Sequence, residues 1–154
     1  MKNLKTILLS ISVLANLGML YFFFFKGNTH TNTQDSRTSI LIPKQDKEFV
    51  LKEMRGFLET VEAINEGILE NNPQKIAAAA KKSGGAATEH IPPSLRRALP
   101  MEFKKLGFNT HDKFDELAET VQKQFNKEKT QEQLGSILNN CTSCHRMYKL
   151  DVQP

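Results

Sequence analysis

The chain's two cysteines stand three residues apart in Cys141-Thr142-Ser143-Cys144-His145. On a helix, residues three apart share a face, so both thiols point the same way and the imidazole of His145 follows at once. Thiols placed like this can add to the two vinyl groups of a haem. The imidazole then lies beneath the iron as an axial ligand, and C-x-x-C-H is the attachment sequence of c-type haem. Other uses of the pair fit less well. A thioredoxin-type dithiol belongs near a helix N-terminus on a βαβ background. Zinc needs further ligands, and His30, His90 and His111 offer no second pair at matching spacing. Two cysteines are too few for a disulfide-dense scaffold. Two structural thiols followed by a histidine by accident is the bland alternative. The expectation is one covalently attached haem c, held by Cys141 and Cys144 with His145 as the proximal iron ligand.

The elements that must carry this motif are helical. Val50, Met54, Phe57, Val61, Ile64 and Ile68 follow alternating spacings of four and three, the seam of an amphipathic helix over about 46–70. Asn72-Pro73 supplies a cap and a first-turn proline for a second, short helix with the run Ala77–Ala80, which Gly84-Gly85 ends. Residues 86–110 contain Pro92-Pro93, Pro100 and Gly107 and read as a long connection with one or two short helical turns. A third helix is expected from Asn109 or Thr110, carrying Phe114, Leu117, Ala118, Val121 and Phe125. A fourth begins at Thr130 with Gln133 reaching back as a capping box, and bears Leu134, Leu138, Cys141, His145 and Tyr148 on one stripe. No segment after residue 26 alternates convincingly with period two. The expected fold class is all-α: an antiparallel four-helix bundle over 46–154, preceded by a single transmembrane or signal helix.

That first helix is read from Ile7–Phe25, 19 residues without a charge between Lys2 and Lys5 on one side and Lys26 on the other. At 1.5 Å per residue it reaches roughly 28 Å, enough for the hydrocarbon layer. It ends in Tyr21-Phe22-Phe23-Phe24-Phe25, where a signal peptidase needs small residues, so an uncleaved anchor over 1–26 is expected ahead of a cleaved signal. The basic start places everything beyond Lys26 on the exported side, in a bacterium the periplasmic side of the inner membrane. The alternative is a soluble periplasmic protein after cleavage. Residues 27–45, rich in Thr, Asn, Ser and Gln, read as a flexible tether. The 21 basic and 17 acidic residues give a formal charge of +4, but setting aside Lys2, Lys5 and Lys26 leaves 18 against 17. No electrostatic footprint for nucleic acid remains.

A C-x-x-C-H motif in the last helix of a bundle resembles the class II c-type cytochromes, the cytochrome c prime group and its low-spin, methionine-ligated relatives, over roughly residues 46–150. Members of that family carry their sixth-position residue in the first helix. Low-spin members have Met there, in a context like Leu51-Lys52-Glu53-Met54-Arg55, so the resemblance implies Met54 as the distal iron ligand and a possible homodimer. Residues 86–110 match no family motif. Read by itself, Met54 lies on the core seam, where methionine ordinarily fills gaps. Its thioether also bonds haem iron and raises the reduction potential relative to a second histidine. His111, His90, Met101 or an open position are the alternatives.

The expected function is a membrane-tethered electron carrier serving redox partner proteins, such as a membrane oxidase or reductase. A gas-binding or sensing protein with an open distal face is the alternative. No distal acid–base pair stands at recognisable spacing, so an enzyme is not expected. Arg96-Arg97 and Lys104-Lys105 are candidates for pairing with haem propionates or an acidic partner.

Overall fold

The computed structural model describes residues 2–32 and 35–153. A first helix, α1 (Lys2–Tyr21), continues into a π-helical turn, Phe22–Lys26. Strands β1 (Thr29–Asn32) and β2 (Asp35–Ile42) follow, then α2 (Lys44–Leu69), α3 (Pro73–Lys82), a 3-10 turn (Gly85–His90), α4 (Pro93–Ala98), α5 (Met101–Lys123), α6 (Lys127–Met147) and β3 (Tyr148–Val152). The chain is predominantly helical, and the span Leu4–Lys26 is long and apolar enough to cross a membrane or to serve as a signal sequence.

Local chemistry explains the helix ends. Asn71 closes α2 in the left-handed region at φ 51°, a conformation asparagine tolerates better than most residues. Asn72 accepts the Lys75 N–H at 3.0 Å and Pro73 opens α3. Helix α6 starts three residues before the expected Thr130. Asn126 is its cap and accepts the Lys129 N–H at 2.7 Å. Thr130 is already in the first turn, its hydroxyl donating to the Asn126 carbonyl at 2.7 Å, while Gln133 reaches Thr120 on α5 at 3.2 Å instead of bending back. Helix α5 starts at Met101, not at Asn109. A helical glycine costs about 1 kcal/mol against alanine, too little to break a helix whose buried stripe runs on through Thr110, Phe114, Leu117 and Val121.

Helix α2 packs on α3, α3 on α5, α5 on α6 and α6 on α2. Ile64, Ile68, Ile76, Ala77, Ala80, Phe114, Leu117, Val121, Leu134 and Ile137 form the main core. Alanines on α3 let it lie close to α2, and at Gly67 an added Cβ would sit 2.6 Å from Ile76 Cγ1.

The described residues of 27–45 are not the tether expected from their polar composition. They contribute two strands to a sheet of order β1-β2-β3, with β1 antiparallel to β2 and β2 parallel to β3. Ile40 and Ile42 are fully buried and pack with Leu95, Ala98 and Leu99 in a second core. Ser39 donates to Asp151 Oδ2 at 2.7 Å, and Arg37 holds Asp35 through contacts of 2.8–3.2 Å. Pairing Thr38 with Tyr148 through Ile42 with Val152 ties the segment before α2 to the segment after α6. Tyr148 is therefore in a strand, and the sheet fixes the end of α6 that carries the cysteines.

Candidate functional site

Between the two cores the helices leave a cleft. Phe49, Val50, Glu53, Met54 and Phe57 of α2 form one wall, and Cys141, Cys144 and His145 of α6 stand with Asn140 on another. Helix α5 contributes Phe103, Lys104, Leu106, Gly107, Phe108, Thr110 and His111; Leu95, Arg96, Leu99 and Ile91 close the remaining side. The space between these walls is about 1000 Å³ with the open solvent at its mouth included.

The four residues singled out in the sequence come together here. Cys141 and Cys144 are free and half-buried, a turn apart on one face of α6. Met54, Cys144 and His145 also border a second cavity on the sheet side, with Tyr148 and Leu150. Met54 thus stands near the height of His145 on the facing helix. His111 lines the same cleft lower down: its Nδ1 lies 2.8 Å from the Ser83 carbonyl, and its ring is 5.1 Å from that of Phe57, which stacks on Phe114 at 5.7 Å. His90 is exposed in the 3-10 turn, and neither it nor Met101 lines the cleft.

The register of α6 on α5 is set just below the cysteines. Asn140 donates to Asn109 Oδ1 at 2.9 Å and to Thr110 Oγ1 at 3.2 Å, and accepts from Lys113 at 3.3 Å. At the far side, Tyr148 meets Phe103 edge to face at 5.4 Å. These contacts brace the motif above and below.

The two thiols lie in apolar surroundings. A nucleophilic thiolate needs a lowered pKa, whereas burial pushes Cys144 up to about 11, with Cys141 beside it adding to the rise, and burial raises Cys141 as well. At the rim, burial and then the charge of Arg96 hold the Lys104 ammonium below its ordinary range. Neither cation makes an ion pair among the described residues. Nor do three or more His, Cys, Asp or Glu side chains converge among them as a metal site.

From the connection 86–110 the sequence pointed to cations and candidate ligands, and Arg96 and Lys104 do line the cleft, but the apolar wall of Ile91, Leu95, Leu99, Phe103 and Leu106 was not expected. Gly107, read there as a helix breaker, borders the cleft, and a Cβ on it would meet nothing within 4 Å. The available signal was the spacing Phe103, Leu106, Gly107, Thr110, which continues the α5 stripe toward its N-terminus. Comparison with family models, with curated proteins and with solved structures finds no match to this chain.

Proposed function

We propose that this protein is a monohaem c-type cytochrome, an electron carrier held at the membrane by α1 on the periplasmic side, its helices α2, α3, α5 and α6 forming the antiparallel four-helix bundle. The single observation that carries this reading is the convergence of Cys141, Cys144 and His145 with Met54 on one apolar cleft. The donor set suits the group: two thiols on one helix face for thioether bonds, an imidazole next to them, a thioether on the facing helix, and Arg96 and Lys104 at the rim for two propionates. The open space over Gly107 leaves room for a flat ring. When bound, the haem supplies an iron that changes oxidation state by one electron.

The chain's own part is to bind, orient and exclude water. Cys141 and Cys144 fix the ring covalently, and the Asn140 network holds their helix in register. His145 and Met54 are the residues that would hold the iron, and a ligand pair kept in both oxidation states would leave little to rearrange on electron transfer. Phe49, Phe57 and Phe103 keep the surroundings dry, which with a thioether ligand favours a raised potential. Redox proteins, such as a membrane oxidase or reductase, are the partners this reading implies.

Absorption spectra of the full chain, oxidised and reduced, with and without CO, test the reading. A low-spin spectrum that ignores CO is expected. A high-spin spectrum that shifts with CO would displace Met54 and move the function to binding of NO or CO, and absence of haem absorption would end the cytochrome reading.

A further inference from the structure

The apolar helix is joined to the helical domain without slack. Its last turn, Phe22–Lys26, packs against α4 and α5. Gly27 follows at φ 62°, pressed so closely on the chain between α4 and α5 that a Cβ would lie 2.7 Å from the Ala98 carbonyl oxygen and from Pro100 N. Only glycine combines that left-handed conformation with that approach. Asn28 donates its N–H to the same Ala98 carbonyl at 2.9 Å and accepts from Leu41 of β2 at 2.7 Å. The two residues between the apolar span and the sheet are thus both pinned. Helix α4, where they are pinned, forms one side of the cleft; Arg96 is exposed at its rim, Arg97 is exposed outside it, and neither arginine makes an ion pair among the described residues.

We propose that this joint is a rigid mount, holding α4 and the adjoining rim of the cleft against the lipid headgroups, with Arg97 facing anionic lipid. The occupant of the exposed α4 face is the bilayer surface itself: the span that must lie in the membrane ends at Lys26, directly against this helix, and the arginines match its charge. The cleft accordingly serves a redox partner embedded in or seated on the same membrane. The inference rests on the anchor in the proposed function, and its geometric part does not depend on the haem.

The chain contains no tryptophan, so one introduced indole is a unique reporter. The full chain carrying Arg97→Trp, or Gln124→Trp at the far end of α5, is reconstituted into phosphatidylcholine–phosphatidylglycerol vesicles with a headgroup nitroxide. Position 97 precedes α5 and position 124 follows it, so the 23 residues of that helix, roughly 34 Å long at 1.5 Å per residue, lie between the two probes. The mount predicts that the indole at position 97 is quenched several-fold more than that at 124, and that a Gly-Ser linker inserted between Gly27 and Asn28 erases the difference. Equal quenching with the joint intact would overturn the mount, whether the domain swings freely or another protein or a second copy covers α4. Failure of the chain to float with the vesicles would overturn the anchor, and the mount with it.

Discussion

Where Ile64, Ile68, Ile76, Leu117 and Leu134 meet, the helices are closed: alanines and Gly67 bring α2 and α3 together and the side chains fill the space. Where Met54, Phe103, Cys144 and His145 meet, the same α2, α5 and α6 stand around a cleft. Both ends are apolar, so hydrophobicity does not distinguish them. What differs is side-chain size against separation. One end matches small residues to close helices, whereas the other has a second core and a sheet beyond it that keep the helix ends apart. The closed end gains stability from close packing; the open end forgoes it and leaves a cleft, the one to which the proposed function assigns a haem.

The largest expected effect is all-or-none. Cys141→Ser with Cys144→Ser abolishes covalent haem, seen as loss of Soret absorption from the denatured chain, while the far-ultraviolet circular dichroism of the closed end persists. Covalent haem in that double variant would dissolve the distinction between the ends. Next in size is Phe114→Ala at the boundary. Phe114 is fully buried, and its truncation should destabilise by about 3–5 kcal/mol in urea unfolding.

One substitution made at both ends should have opposite signs. Gly67→Ala forces a methyl against Ile76 and destabilises by about 1–3 kcal/mol. Gly107→Ala meets nothing and, in the chain before haem attachment, stabilises by roughly 0.5–1 kcal/mol through helix propensity. Equal signs in the two unfolding curves would mean that the ends are packed alike.

The smallest effect is the acid sensitivity of the sheet. The Arg37 side chain and backbone N–H, against a small opposing desolvation, hold the Asp35 carboxyl well below the usual carboxylate range, and Lys149 adds to this. The Ser39 hydroxyl lowers Asp151. Because these pKa values are depressed in the folded state, their contribution is full above the ordinary carboxylate value of about 4 and fades only as pH falls below it. Hydrogen exchange, corrected for its intrinsic pH dependence, should lose protection in β2 and β3 before α3 as the solution is acidified. Simultaneous loss would contradict this.

Helical character, the α2 seam and the placing of both cysteines on one helix face were legible because each rests on local spacing. Val50 to Ile68 repeats with the helix period, and Cys141–His145 lies within two turns. The sheet was not legible. β2 carries only Ile40 and Ile42 as fully buried apolar residues among Ser, Arg and Thr, and its pairing with β3 joins residues more than a hundred positions apart. Pro100 was legible as the start of a short helical turn over Met101–Leu106, but its continuity with the helix expected from Asn109 was missed because Gly107 looks like punctuation, although it faces open space. Met54 and His111 share one cleft through tertiary packing that no local pattern encodes.

The most direct test of the central claim is the intact mass of the full chain purified from cells, before and after thiol alkylation under denaturing conditions. Covalent attachment predicts the mass of one haem added to the polypeptide and no alkylation at Cys141 or Cys144. A chain at its bare polypeptide mass, with both cysteines alkylated, would contradict the claim that this cleft is a haem c site.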